Sequence, residues 1–273
     1  MNAHTHQFLK RSLSNLKRSP LVDVVKFSLL IMAIVWFMAR GTERLGYNWQ
    51  WYRVPQYLFS FKDAHLVVGP LLQGVKVTFH ITSVSLLLAF AIGLVAALFR
   101  MSNSFVARIL ARGYLELIRN TPLLVQLFFM YFVLAPILDI SRMASAILAL
   151  SLFEGAYASE IFRAGIVSIH RGQWEAAHSL GLSTFDTYQY IILPQAVRRI
   201  LPPLTSQAIS LIKDSALVST IAIYDLTMQG SAIISETFLT FEIWFTVASI
   251  YLLITVSLSI VVNIMEDRLR VEA

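Results

Sequence analysis

Hydrophobic residues in this sequence come in long runs separated by short charged clusters. Residues 77–99, 120–138 and 243–265 contain no Asp, Glu, Lys or Arg. Each run is close to the roughly 17–25 residues that a helix needs to cross the hydrocarbon layer. Extending the pattern predicts six membrane-spanning helices, over 21–39, 71–99, 119–138, 143–168, 198–223 and 241–264. The first has the shortest charge-free core, 27–39, because Asp23 and Lys26 precede it and must sit near the inner headgroups. A cleaved signal peptide is the rival reading of that segment. The long basic leader, and Arg40 within the only small-x-small site nearby, favour a retained helix.

Between the spans the polar pattern changes period. Over 102–118, Phe105, Ile109 and Leu117 alternate with Arg108, Arg112 and Glu116, which predicts an amphipathic helix along the inner surface. Asn120-Thr121-Pro122 reads as a cap followed by a proline near the first helical position. The outer loop 40–70 carries Trp49, Trp51, Tyr52 and Tyr57, aromatic residues suited to the membrane interface. Leu201-Pro202-Pro203 should disturb the start of the fifth span. No internal repeat is visible.

Composition agrees with this pattern. The 273 residues are 57% hydrophobic and 14% charged, against about 25% charged in a soluble domain. The net charge of +6 does not point to nucleic acid, because the basic residues are spread by membrane side rather than gathered into an aromatic-basic patch. With the N-terminus inside, the outer segments hold only Arg40, Arg44, Arg53, Lys62 and Arg142, whereas the inner segments hold thirteen basic residues, Lys10 to Arg270. That asymmetry predicts both termini in the cytoplasm. Cysteine is absent, which excludes disulfides and thiol chemistry. The six histidines are scattered, and His4 and His6 have no partner at metal-ligand spacing.

Charges inside a span are costly and face a partner or a wet cavity. The fourth span carries Glu154, Glu160 and Arg163. Glu160 and Arg163 lie about 60° apart on a helix and can pair, which predicts a structural ion pair. Glu154 is about 120° around from Glu160 and cannot easily share that pair. It reads as a lone carboxylate able to meet the positive group of a substrate. Lys213 and Asp214 interrupt the fifth span. Adjacent side chains point about 100° apart, so the two do not simply neutralise each other and are candidates for the pathway.

The inner loop 172–194 carries the most specific pattern. Residues 173–180 are good helix formers, with Gly181 placed as a C-terminal cap. Ser183 can cap a second short helix, with Asp186 in its first turn, which Pro194 should stop. An exposed helix bearing Trp174, Ala176 and Ala177 suits docking into a groove on a partner.

Glu175, Ala176, Ala177, Gly181, Ile191, Leu193 and Pro194 together resemble the EAA loop of importer permeases of the ATP-binding-cassette (ABC) class. Glu116 to Gln126, Ala156 to Ile166 and Ile212 to Ser215 resemble signatures of the polar amino-acid branch, relatives of the histidine and glutamine permeases. The resemblance covers about 70–268. His178 departs from the usual Arg or Ala, and Glu154 is not part of the family pattern. The resemblance implies an all-α integral membrane protein with a type I importer permease fold. It implies a second permease subunit, the same or homologous, and partner ABC ATPase subunits that grip the loop. It also implies a soluble or periplasmic amino-acid-binding protein. The chain has no Gly-x4-Gly-Lys-Ser/Thr phosphate loop, so ATP and Mg would be handled by the partner ATPase, with no cofactor bound by this chain.

The organisation that follows has three parts. Residues 1–69 form a cytoplasmic tail, a first transmembrane helix and a periplasmic loop. Residues 70–268 form the permease core, and 269–273 a short cytoplasmic tail. The expected function is the transmembrane subunit of an importer moving a polar amino acid across the bacterial inner membrane. A stand-alone ion-coupled secondary transporter, with Glu154 or Asp214 as coupling carboxylate, is the alternative. A membrane-embedded enzyme finds no support, since no catalytic constellation is present.

Overall fold

The computed structural model describes residues 20–62 and 65–270. His4, His6, the basic pairs Lys10-Arg11 and Lys17-Arg18, and residues 271–273 lie outside them. Helix α1, Pro20–Leu45, belongs to a unit of its own that ends at Gln50. Within that unit the Arg40 guanidinium lies over the Trp36 ring at 5.1 Å, and Tyr47 meets Trp49 edge-on at 5.3 Å.

The second unit begins at Trp51 with a short helical turn and α2, Pro55–Leu58. Strands β1, Phe59–Lys62, and β2, His65–Val68, then form an antiparallel hairpin that pairs Phe59 with Val68. This hairpin is a departure from the all-α expectation. Its apolar residues follow one another without a helical period, and backbone pairing satisfies the segment instead. Gly69 lies so close to Tyr57 that a Cβ would sit 2.4 Å from the Tyr57 carbonyl oxygen, which fixes the hairpin's exit.

Helix α3, Pro70–Met101, is 32 residues long, or about 48 Å. Its central glycine, Gly93, lets α3 meet helix α7 closely: a Cβ there would lie 2.7 Å from the Ala158 Cβ and 2.9 Å from the Gly155 carbonyl oxygen. Small residues at helix contacts are how membrane helices gain packing without a hydrophobic driving force. Amphipathic α4, Phe105–Arg119, follows as expected, capped by Ser104. Asn120 does not open the next helix. Its Nδ2 donates to the Glu116 carbonyl at 2.8 Å, so it closes α4. The chain then turns by 106° into α5, Leu123–Phe128. Thr121 Oγ1 donates to the Leu117 carbonyl at 2.9 Å, and Gln126 Nε2 to the Ile118 carbonyl at 2.7 Å. These side chains satisfy carbonyls that α4 leaves open, as a turn away from water requires.

A π-helical turn, 129–134, links α5 to α6, Ala135–Leu138. Helix α7, Arg142–Val167, is capped by Ser141. Next come α8, Arg171–Ser179, and α9, Thr184–Asp186. A second π-helical turn, 187–192, leads into α10, Leu193–Asp214, and a 3-10 turn ends it at Ile221. The expected stop at Pro194 is therefore wrong. The N–H of Leu193 reaches back five residues to the Tyr188 carbonyl, so the helix widens before the proline rather than ending. The same device precedes Pro136, where the Ala135 N–H donates to the Met130 carbonyl. Pro202 and Pro203 also sit inside an unbroken α10, and Thr205 Oγ1 donates to the adjacent Leu201 and Pro202 carbonyls.

The fifth span breaks at 222–225, where Ala222 takes a left-handed conformation with φ 57°. Arg142 Nη1 donates to the Ala222 carbonyl at 3.0 Å and steadies the break. After a 46° bend, α11, Leu226–Thr237, starts from Asp225, whose carboxylate accepts from the Thr227 and Met228 N–H groups. The last helix, α12, Thr240–Arg270, runs past 264 into the residues expected to form the C-terminal tail.

Among the described residues, four helices are long and apolar enough to span a membrane. The number reaches six when each bent pair, α4 with α5–α6 and α9–α10 with α11, counts as one span. One core joins Ile81, Leu127, Leu150, Leu211 and Val218, so α3, α5, α7 and α10 share it. A second joins Leu71, Leu226, Leu239 and Ile243, with Tyr57 and Leu58 packed against it.

Candidate coupling helix and transport pathway

Helix α8 leaves the end of α7 through three residues, 168–170. His170 caps it, with Nδ1 accepting from the Gly172 N–H at 3.1 Å. At its other end Gly181 has φ +78°. The Leu182 N–H reaches the Ala177 carbonyl at 3.1 Å and the Gly181 N–H reaches that of His178 at 2.9 Å. That paired closure is why glycine stands there, because a left-handed residue with a Cβ is strained. Ser183 Oγ then accepts from the Asp186 N–H, as the sequence predicts.

The two faces of α8 differ. Glu175, paired with Arg171 at 3.0 Å, Ala176 and His178 face outward. Ala177 is only 3% exposed and Trp174 packs edge-on against Tyr188 at 4.9 Å, so these two hold the helix rather than present it. Ile191 lies against the buried cluster of Ile169, Ile192, Ala196 and Ile200, while Leu193 and Pro194 are exposed. The loop is thus an anchored bracket with one free face.

The intramembrane charges form two groups. Glu154 is 1% exposed, and Gln207 Nε2 on α10 donates to its Oε2. The Asp214 carboxylate lies close by. The description of Glu154 as a lone carboxylate is corrected: α7 and α10 bring two carboxylates and one amide together inside the subunit. Among the described residues no donor faces Glu154 Oε1. Lys213 turns to the outside while Asp214 turns in, as their angular separation requires.

Glu160 is more than one half of a pair. Arg163 approaches its Oε2 at 3.3 Å, as expected, but Arg100 and Arg119 also reach Oε1, at 2.7 and 3.0 Å. Sequence reasoning missed Gln207, Arg100 and Arg119. A signal for the arginines existed, since both stand in the last turn of their helices, at the depth of Glu160. Glu154 takes no part in this cluster.

A family model described as the inner membrane component of binding-protein-dependent transport systems matches residues 89–271. The glutamine transport system permease protein GlnP of Escherichia coli K12 is 40% identical over 204 residues, covering 74% of this chain and 93% of that protein. The nopaline transport system permease protein NocM of Agrobacterium fabrum is 38% identical, covering 72% and 86%. Among solved structures, an amino acid ABC transporter crystallised with histidines superposes with a TM-score of 0.69 at 36% identity, covering 73% of this chain and 94% of that one. An inward-facing methionine ABC transporter, at 20% identity and a TM-score of 0.64, shares the fold.

Proposed function

Because the chain belongs to the family of binding-protein-dependent transport system inner membrane components, we propose that it forms half of the pore of an ATP-driven importer for a polar amino acid. The chain is a transport subunit and not itself an enzyme; a partner ATPase uses the ATP. The observation that carries the reading is α8, a short helix fixed at both ends and along one side, with Glu175, Ala176 and His178 exposed on the other. Such a helix suits a groove on a partner that moves.

The finer assignments extend this reading. ATPase subunits, with ATP and Mg bound between them, grip α8 and its flanking residues Gly181, Ile191, Leu193 and Pro194. A second permease subunit, identical or homologous, completes the pore. A soluble or periplasmic binding protein delivers the cargo, and lipid surrounds the assembly. Both termini face the cytoplasm. The names of the relatives, glutamine permeases among them, support a polar amino acid as cargo. Glu154, Gln207 and Asp214 form a site poor in positive charge, suited to the substrate's ammonium group. Lys213 lies beside it on the outward side of α10. A stand-alone ion-coupled carrier would leave α8 without a role.

The absence of native cysteine makes the docking claim direct to test. Single cysteines at positions 175, 176 and 178 are expected to cross-link to the partner ATPase, with a yield that changes on adding ATP. No cross-link from any of the three positions would remove the proposal.

A further inference from the structure

Helices α7 and α10 meet at four levels, and the levels follow opposite orders along the two segments. Arg142 Nη1 donates to the Ala222 carbonyl at 3.0 Å. Gln207 Nε2 donates to Glu154. Ile200 packs so closely over Gly165 that no Cβ fits there. Arg199 Nη1 donates to the Ser168 carbonyl at 2.5 Å and to Ser168 Oγ at 3.0 Å. The two helices are therefore antiparallel neighbours from one end to the other. Helix α7 has 26 residues, about 39 Å of helix against roughly 30 Å of hydrocarbon. The two arginine contacts, at its two ends, thus lie at opposite faces of the membrane.

The arginine contacts are reciprocal. Ala222 follows the 3-10 turn that prolongs α10, and Ser168 follows the last residue of α7. Carbonyls at such ends lack a helical partner. Each helix lends one guanidinium to the C-terminal end of the other, where a positive charge also suits the helix dipole. Such a bond is charge-assisted, about twice as strong as a neutral one. The Arg142 guanidinium also lies over the Tyr131 ring at 5.7 Å, which limits its own freedom. Between the two clasps lie Glu154 on α7 and Gln207 and Asp214 on α10. Their placement depends on the register of the two helices. A slide of one residue displaces Gln207 along Glu154 by about 1.5 Å, whereas a good hydrogen bond spans a range of only about 0.5 Å.

We infer that Arg142 and Arg199 are positioning residues: from the two membrane faces they lock α7 and α10 in register, and so hold Gln207 and Asp214 against Glu154. The inference rests on the reading of these three residues as the cargo site. Arg142 precedes Glu154 on α7 by about 18 Å of helix, and Arg199 precedes Gln207 on α10 by about 12 Å, so both act through the register alone. With either clasp lost, one end of the pair is free to slide or splay, and the carboxylates lose their fixed spacing.

The test has two arms, both in the full complex in proteoliposomes. The first places spin labels on cysteines at the exposed positions 164 of α7 and 220 of the turn that prolongs α10, in the otherwise unaltered chain. Their distance distribution should be narrow and the same with and without ATP. Arg142→Gln or Arg199→Gln should broaden it, and Arg→Lys at either position should restore part of the sharpness. A shift with ATP in the parent chain, or variants as narrow as the parent, overturns the inference. The parent measurement stands even if a variant fails to assemble. The second arm reads uptake of labelled glutamine and lysine. Each Arg→Gln variant is expected to slow it about tenfold, the size of one hydrogen bond to a charged group. Combined with Glu154→Gln, it should add no further loss, because the carboxylate it positions is gone. Losses that add in full point to a general weakening of the fold and overturn the inference. Failure of the site reading looks different: Glu154→Gln alone leaves uptake unchanged, and the label distances still decide the role of the clasps.

Discussion

Glu154 has a buried oxygen that faces no donor among the described residues and a second oxygen bound by Gln207, with Asp214 close by. A buried carboxylate without full compensation costs several kcal/mol, so the site favours a cation whenever one is offered. Replacing Glu154 with Gln removes that preference and nearly preserves the shape. Membrane levels and ATPase assembly should stay, while transport slows, most for cationic cargo. Unchanged uptake of cationic and neutral amino acids alike would leave Glu154 a wall residue. Glu160 supports a different expectation. It is the one carboxylate shared by Arg100, Arg119 and Arg163. Glu160→Gln leaves three guanidinium groups facing one another and should cost about 1–3 kcal/mol. Arg163→Gln, with two arginines still in place, should cost less. Thermal unfolding of the purified complex orders the two, and equal midpoints would contradict the shared-carboxylate picture. In the sequence the angular separation of Glu154 from Glu160 and Arg163 is visible, because it depends only on helical geometry. Gln207 is not visible as a partner, because which residue of α10 faces Glu154 depends on how two helices cross.

Elements show the same division between local and distant causes. Helix α8 is legible because its cap, its closing glycine and the Ser183 cap of the next helix are all local signals. The long helices are legible from their length and lack of charge. The rule that proline ends a helix fails at Pro194 and Pro136 for a physical reason. At each, the N–H just before the proline reaches back five residues, so the chain widens into a π-helical turn, admits the proline and continues. Two substitutions test the elements. Gly181→Val forces a β-branched residue into a left-handed conformation, at a cost of about 1–2 kcal/mol. It should misplace the end of α8, so the chain inserts but ATPase association falls, as copurification would report. Gly93→Val places methyl groups where α3 meets Ala158 and the Gly155 backbone. Overpacking of this kind costs about 1–3 kcal/mol. Ala158→Gly in the same chain should recover only part of it, because the backbone contact remains. Full recovery in thermal unfolding would contradict the backbone's share.

At the scale of the molecule, the charge-free runs and their flanking patterns predict six spans, and the family model independently matches residues 89–271, which hold the end of the second predicted span and the four later ones. What the sequence hides is the pairing of spans. The cluster at Glu160 and the contact of Gln207 with Glu154 each join segments far apart in the chain, and no local pattern specifies them. Orientation is a global property with its own test. Single cysteines at positions 62 and 178 should label from the outside and the inside respectively with an impermeant reagent, and the reverse would invert the topology. The central claim is that this subunit moves a polar amino acid on energy delivered through α8. The most direct measurement is uptake of labelled glutamine and other polar amino acids into proteoliposomes holding the complete complex. Uptake is expected to require ATP and the binding protein, to ignore proton and sodium gradients, and to fall with Gly181→Val. Uptake driven by an ion gradient without ATP would contradict the account.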